Sequence, residues 1–124
     1  MSTDDPYGPR VRRLFAAPVH AGRLDDGESV DVDERDVRLR LSAAVAAGRI
    51  GAMRFEAQGC PHLIAAAEAA CARLEGGPVS GLLEFSGRDL MENLPVPVEK
   101  TGRILALEDA VRSLGQRLRD GTES

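Results

Sequence analysis

The chain has 124 residues, a formal net charge of −4 and a hydrophobic fraction of 43%, with aromatic residues at only 3%. This length predicts a single domain, with an ordered core expected over residues 7–118 and built mainly from Ala, Leu and Val. The negative charge argues against nucleic-acid binding, and because no signal peptide and no apolar run of 18 residues is found, we expect a cytoplasmic protein without a membrane span.

The N-terminal part of the chain predicts a helix, a loop and a weak strand. Residues 7–15 are expected to form a short helix that Pro18 ends. His20 lies in the loop that follows, and a lone loop histidine is expected to be a hydrogen-bonding turn residue and not a metal ligand. Val30 and Val32 then alternate with acidic residues, which is a weak strand signal.

An acidic cluster overlaps this strand and is formed by Asp31, Asp33, Glu34 and Asp36. Clusters of carboxylates can bind hard cations such as calcium. The spacing lacks the glycine and the terminal glutamate of a calcium-binding loop, so a solvated rim is the favoured interpretation.

Two alternating segments predict a β-hairpin. Val37, Leu39 and Leu41 alternate with arginines, and residues 53–57 repeat the same period of two. Residues 46–49 have the composition of a turn between them. We therefore expect an antiparallel pair of strands with its charged side chains on the solvent-exposed face. The sheet would have about three strands if residues 30–32 join it.

The remainder of the chain is predicted to be helical, which completes an α+β fold with a small antiparallel sheet packed against helices. Residues 61–75 are rich in alanine, the strongest helix former. Ser80 and Ser86 are predicted N-caps of two short helices, the first reaching Phe85.

Prolines and an apolar stripe define the C-terminal third. Pro95 and Pro97 predict an extended segment over residues 94–98. The last helix is expected to begin near Glu99. Its apolar residues recur at steps of three and four, which indicates a core-facing stripe formed by Ile104, Leu107, Val111, Leu114 and Leu118.

The corner Gly59-Cys60-Pro61-His62 contains the best candidate for a reactive side chain in the sequence, Cys60. Pro at the first helical position places Cys60 at or next to the N-cap. A cysteine there lies at the positive end of the helix dipole, which favours the thiolate that binds metals and attacks sulfur. The alternative is that Cys60 is a small buried hydrophobe. His62 could form a hydrogen bond nearby, but a surface position in the first helical turn is the favoured expectation.

The second cysteine, Cys71, cannot work together with Cys60. The two are eleven residues apart on one predicted helix, or about 16 Å at the helical rise of 1.5 Å per residue. A disulfide needs Cα atoms within about 7 Å, and one metal ion could not reach both. We expect Cys71 to pack against the sheet.

Taken together, these segments resemble the NifU N-terminal domain and the IscU-type iron–sulfur cluster assembly scaffolds over nearly the whole chain. The likeness is sharpest at residues 55–61, where the family has a Phe, a small residue and Gly-Cys before an Ile-Ala-rich helix. It returns at residues 105–110, close to the family's closing helix motif. The start of the chain is also similar to the start of the family, which has a Tyr, a hydrophobic pair, a Pro and a Gly. The matching residues here are Tyr7, Leu14, Phe15, Pro18 and Gly22.

The departures from the family lie at its three cysteine positions, which hold a nascent cluster. The first position holds Glu34, and the acid that follows it in the family matches Asp36. The second position matches Cys60. The third position holds Arg103, so only one of the three family cysteines is present.

The segment before the third position also differs. Lys100 matches the family's lysine, whereas Gly102 occupies the position of its histidine. The family's chaperone-docking segment is echoed loosely by residues 94–100, with extra residues inserted. Docking of a chaperone at these residues is therefore an open expectation.

The resemblance implies an accessory or degenerate scaffold-like protein that is not an enzyme. Cys60 would accept sulfur or act as a weak metal ligand together with Asp36 and Glu34, with Arg103 and Lys100 beside them. The cofactor implied is iron or a transient iron–sulfur cluster, with zinc as another metal, and the partners implied are a cysteine desulfurase or other assembly proteins. Two alternatives stay open: a sulfur carrier outside cluster assembly, and a partner-binding paralogue without chemistry.

Overall fold

The computed structural model describes residues 13, 14, 16, 18–34, 37–58, 60–94 and 96–123. The helix predicted over residues 7–15 lies largely outside these residues, as do Asp36, Gly59 and Pro95. Among the helices of the described ranges, none combines the length with the apolar composition that crossing a bilayer requires.

A three-stranded antiparallel sheet in the order β1-β2-β3 forms one layer of the molecule. Its strands are β1 (Glu28–Glu34), β2 (Val37–Ala46) and β3 (Arg49–Gln58). The turn between β2 and β3 has positive φ at Ala47 (54°) and Gly48 (78°), as expected for the tight turns that match the twist of a hairpin. The predicted hairpin and its third strand are both confirmed.

The alternation of apolar and charged residues divides the sheet into two faces. Leu39, Leu41 and Phe55 point into the core and are at most 3% exposed. On the other face, Arg40 lies 3.1 Å from a carboxylate oxygen of Asp31, its direct partner across the strands. The exposed acids of β1 thus pair with the arginines of β2, in agreement with the solvated rim expected for this part of the acidic cluster.

Four α-helices and one 3-10 helix follow the sheet among the described residues. They are α1 (Pro61–Leu74), α2 (Ser80–Leu83), α3 (Gly87–Asn93), the 3-10 helix Val98–Lys100 and α4 (Thr101–Glu123). Helices α1 and α4 pack on the inner face of the sheet. The predicted stripe of α4 is confirmed, because each of its five apolar residues is at most 5% exposed.

Two predicted boundaries differ from the structure, and one is confirmed. The N-cap of α2 is Val79 and not Ser80, because the amide of Gly81 already bonds the carbonyl of Pro78 and draws Val79 into helical geometry. Helix α2 ends at Leu83, short of the predicted Phe85. Ser86 is confirmed as the N-cap of α3, since its hydroxyl accepts a hydrogen bond from an amide one turn later.

The extended part of the connection into the last helix ends one residue earlier than predicted, and the α-helix begins about two residues later. The extended backbone reaches Pro97, and the 3-10 helix then leads into α4, which begins at Thr101 and not near Glu99. Val98 is 88% exposed on this connection. Residues 94–100 therefore present an apolar side chain to solvent, although the docking role itself stays a prediction.

Candidate functional site

The sheet topology brings the segments of the predicted site to one end of the molecule. Glu34 pairs with Val37 across the β1–β2 turn, and the next residue of β2, Arg38, pairs with Gln58 at the end of β3. The tip of the first hairpin and the corner that carries Cys60 therefore share this end of the sheet. Glu34 is exposed there.

Cys60 is the N-cap of α1, as predicted. Its backbone is extended (φ −63°, ψ 122°), and Pro61 begins the helix. The thiol makes no capping hydrogen bond to the helix and is only partly buried. Cys60 is thus more open to solvent than a core cysteine, and its sulfur stands at the positive end of α1, where anions are favoured.

The prediction that His62 lies at the surface is wrong. The residue is only 4% exposed, and its Nδ1 atom lies 3.8 Å from Sγ of Cys60. Side chains of a helix point back towards its N-terminus, so an imidazole in the first turn of α1 reaches the capping residue. A histidine two residues after an N-cap cysteine was the signal in the sequence for this pair.

Two cations stand close to the His62 imidazole. Burial lowers the pKa of His62, and the positive charges of Lys100 and then Arg103 lower it further against a weak opposing effect of Glu99. The neutral imidazole is therefore favoured, and the positive charge at this corner comes from the start of α4. The Nε atom of Arg103 is buried and has no hydrogen-bond partner among the residues that the structure describes.

The predicted metal ligands are not assembled by the described residues. Within the described ranges, no group of three or more His, Cys, Asp or Glu side chains is placed to hold a metal ion. Asp36 lies outside those ranges, so the set Cys60, Asp36 and Glu34 stays a prediction. A [2Fe–2S] cluster needs four good ligands, usually thiolates, and the one thiol that the described residues supply at this corner does not meet that requirement.

A second polar cluster lies deeper in α1 and was not foreseen. Glu68 is only 4% exposed. Its carboxylate accepts the backbone N–H of His20 at 2.7 Å and contacts the ring Nδ1 of the same residue at 2.5 Å. The predicted hydrogen-bonding role of His20 is confirmed, but its partner was missed. A single acid within the alanine run of α1 was the available signal.

Glu75 joins this cluster to the sheet. One of its oxygens lies 3.4 Å from the His20 ring Nε2, and the other accepts hydrogen bonds from the Met53 amide at 2.9 Å and from Arg54 at 2.7 Å. Burial raises the pKa of Glu75, but these hydrogen bonds and the charges of His20 and Arg54 outweigh it, so the pKa is lowered overall.

The same loop is hydrogen-bonded to the sheet through its backbone. The amide of Phe55 donates to the carbonyl of His20 at 3.0 Å, and the amide of Gly22 donates to the carbonyl of Phe55 at 2.8 Å. These bonds form a short parallel bridge along β3. We call His20, Glu68, Glu75 and Arg54 the clasp, because they fasten this loop to α1 and β3.

Cys71 lies beside the clasp and is fully buried, as predicted. Burial raises the pKa of its thiol to about 12, and the charges of Glu68 and Glu75 add to this effect while Arg54 opposes it. Its thiol is therefore protonated and inaccessible at neutral pH, so it has no part in the chemistry of the Cys60 corner.

Comparisons with known proteins agree on one family. The family model described as the NifU-like N terminal domain matches residues 6–116. A curated relative, the bifunctional protein NifU/MnmA of Rubrobacter xylanophilus, is 31% identical in an alignment 112 residues long, and the match covers 82% of this chain and 22% of that protein. The chain thus spans about a fifth of this relative's length.

Solved structures share the fold at low sequence identity. The N-terminal part of a nitrogen-fixing NifU-like protein from Brucella abortus superposes with a TM-score of 0.71 at 15% identity, covering 91% of this chain and 94% of that one. A candidate iron–sulfur cluster assembly scaffold protein for the SUF system of Fervidobacterium islandicum superposes with a TM-score of 0.58 at 14% identity, covering 85% and 81%. The α+β fold is therefore the one expected.

Proposed function

The chain belongs to the NifU-like N-terminal domain family, which indicates a role in iron–sulfur cluster assembly, and within that role we propose that it is an accessory, scaffold-like protein whose Cys60 accepts sulfur. One observation carries this proposal. Cys60 is a partly exposed N-cap thiol at a corner where Lys100 and Arg103 act on the adjacent imidazole. The described residues supply one thiol at this corner, at the positive end of a helix, which suits an anionic sulfur species better than a metal cluster.

The reaction is a transfer of sulfane sulfur between two thiols. The Cys60 thiolate attacks the outer sulfur of a donor persulfide, R–S–SH, so that a new S–S bond forms on Cys60 as the donor's S–S bond breaks. The bonding electron pair leaves with the donor thiolate, and the proton stays on the new persulfide or passes to the leaving thiolate. No oxidant or reductant is consumed.

The position of Cys60 at the start of α1 suits this reaction. The N-terminus of a helix favours anions, and the attacking thiolate and the anionic form of the persulfide product both carry negative charge. Iron and the iron–sulfur cluster are then substrates that partner proteins handle, and the weak binding of a single iron or zinc ion at Cys60 is secondary. We place the protein in the cytoplasm, as a stoichiometric sulfur carrier and not an enzyme.

The donor that this chemistry requires is a protein that carries a cysteine persulfide, such as a cysteine desulfurase. A sulfur carrier outside cluster assembly would use the same chemistry, and only its donor and recipient would differ. The family membership favours the assembly role, whereas a purely structural paralogue would have no need for a partly exposed thiol at Cys60.

The test is to incubate the protein with a cysteine desulfurase and cysteine, and to locate added sulfur by intact and peptide mass spectrometry. We expect one added sulfur atom on Cys60, none in Cys60→Ala, and unchanged transfer in Cys71→Ala. Sulfur that is absent from Cys60 would remove the proposal.

Anaerobic reconstitution with iron and sulfide tests the scaffold role separately. Because the described residues supply one thiol at this corner, we expect little or no visible absorption from a bound cluster. A stable cluster at full occupancy on the wild-type chain would show that cluster holding, and not sulfur acceptance, is the function.

A further inference from the structure

The contact between His62 and Cys60 is the feature of this corner that the family pattern does not account for. The imidazole comes from the first turn of α1 itself, whereas the family's histidine position, at the start of α4, holds Gly102. His62 as a residue is only 4% exposed, so the surrounding protein limits the movement of its side chain. Its Nδ1 atom lies 3.8 Å from Sγ, within the longer distances that hydrogen bonds to sulfur take.

The direction of this hydrogen bond follows from what each atom can donate or accept. A neutral imidazole has one N–H group, which is carried by either Nδ1 or Nε2. A thiolate or a persulfide anion can only accept a hydrogen bond. When Cys60 attacks as a thiolate, the 3.8 Å contact is therefore a hydrogen bond only if Nδ1 carries hydrogen and the ring donates it to Sγ.

We propose that His62 is the positioning residue for sulfur transfer at Cys60, with its Nδ1–H group donating a hydrogen bond to Sγ before transfer and to the same sulfur of the persulfide afterwards. This inference rests on the proposed sulfur-acceptor function. The hydrogen bond holds Sγ in one orientation, so that the outer sulfur of the product extends away from the imidazole.

The step itself is the one balanced above, in which Cys60–S⁻ and R–S–SH give Cys60–S–SH and R–S⁻. His62 gains and loses no proton in it. Its effect is on the orientation of the attacking sulfur and on the stability of the anion, and the net value of one such hydrogen bond is about 1 kcal/mol, or five- to tenfold in rate.

Two substitutions separate hydrogen bonding from packing. In His62→Asn, the side-chain amide N–H lies near the position of Nδ1–H, so the hydrogen bond to Sγ can be kept while much of the ring volume is lost. In His62→Leu, the apolar volume is kept and the hydrogen bond is lost. If His62 only fills space, Leu should be the better replacement; if it positions sulfur, Asn should be.

The experiment measures sulfur uptake from cysteine persulfide by mass spectrometry, in the full chain with Cys71→Ala as the common background. We expect His62→Leu to be about five- to tenfold slower and His62→Asn to stay within about twofold of the background chain. Thermal unfolding of each variant reports whether the fold is kept. Equal rates in the two variants, or a faster Leu variant, would overturn the proposal.

A second measurement is independent of sulfur transfer. Nitrogen chemical shifts of histidine distinguish a protonated from an unprotonated Nδ1, and we expect His62 to carry hydrogen on Nδ1 at neutral pH and to change its signal in Cys60→Ala. Hydrogen on Nε2 alone would overturn the positioning role even if Cys60 accepts sulfur. If the wild-type chain takes up no sulfur, the proposed function fails, whatever the tautomer.

Discussion

Helix α1 places one cysteine at each of two polar clusters that differ in almost every physical respect. Cys60 stands at the N-cap, partly exposed, with the cations Lys100 and Arg103 near its histidine neighbour. Cys71 lies in the last turn, fully buried and beside the carboxylates of the clasp. The two thiols have the same chemistry, but the charge, burial and helix end around them are opposite.

This difference shows that burial, nearby charge and position in the helix, and not the type of residue, distinguish the two cysteines. Cys60 is partly exposed at the positive end of α1, whereas burial and negative charge make an anion at Cys71 unfavourable. The histidines differ too, because His62 contacts the sulfur itself, whereas His20 contacts two glutamates. One end carries the proposed chemistry, and the other fastens a loop to the core.

The largest expected difference between the two cysteines is in their rates of thiol labelling, and this experiment could contradict the comparison. At about pH 7.5, iodoacetamide should modify Cys60 more than about 100-fold faster than Cys71, because alkylation needs an accessible thiolate. Peptide mass spectrometry over time measures both rates in one sample. In urea-unfolded protein the two should react alike, and comparable rates in the folded protein would show that the burial of Cys71 does not protect it.

The second prediction concerns the clasp. His20→Ala should reduce the free energy of unfolding by about 2–3 kcal/mol, because the buried carboxylate of Glu68 loses its ring partner. Urea denaturation measures the change. Adding Glu68→Leu should recover part of the loss, since no unpaired charge then remains buried.

Two controls accompany this substitution. Arg23→Ala breaks the exposed ion pair with Glu56 and should leave stability unchanged within error. Sulfur uptake at Cys60 should be the same in His20→Ala as in the wild type at a temperature where both are folded. A loss of uptake would mean that the two ends of α1 are coupled.

The third prediction concerns the cations of the Cys60 corner. Arg103→Ala and Lys100→Ala should each slow alkylation of Cys60 near neutral pH by about two- to fivefold, because a nearby positive charge favours the thiolate. Arg119→Ala, at the far end of α4, is the matched control and should leave the rate unchanged. Added salt should shrink the differences. Unchanged rates in both variants would show that neither cation acts on the sulfur.

The smallest expected effects are in the pH dependence of stability. The two ends of α1 should respond in different ranges of pH. Because the pKa of His62 is lowered in the folded state from about 6.5, the unfolded chain binds the proton first, and stability falls as pH drops below that value. His62→Asn should remove this loss, as urea titrations between about pH 7.5 and pH 5.5 would measure.

Glu75 should act at lower pH. Its pKa is lowered from the ordinary 4.5, so its contribution is present above that value and is lost as pH falls through it towards the folded-state pKa. Glu75→Gln should remove this loss of unfolding free energy at acidic pH without changing the pH dependence near 6.5. If both substitutions abolished the same pH-dependent change in unfolding free energy, the two ends of α1 would not titrate separately.

Local patterns in the sequence were sufficient for much of the fold and part of the site. The period of two in β2 and β3, the apolar stripe of α4 and the proline after Cys60 are each read from residues a few positions apart. Helix starts and strand faces depend on such neighbours, so the N-cap position of Cys60 and the burial of Cys71 were both predicted. The N-cap of α2 was missed because Pro78 begins the turn one residue early.

The contacts that give the two ends of α1 their character were decided only by the tertiary structure. Glu68 and His20 are 48 residues apart in the chain, and the cations near His62 come from the start of α4. The energy of a buried charge or an imidazole depends on groups that the folded chain brings together from distant positions. Residues alone therefore placed a thiol at a helix start, and packing determined which charges and which histidine surround it.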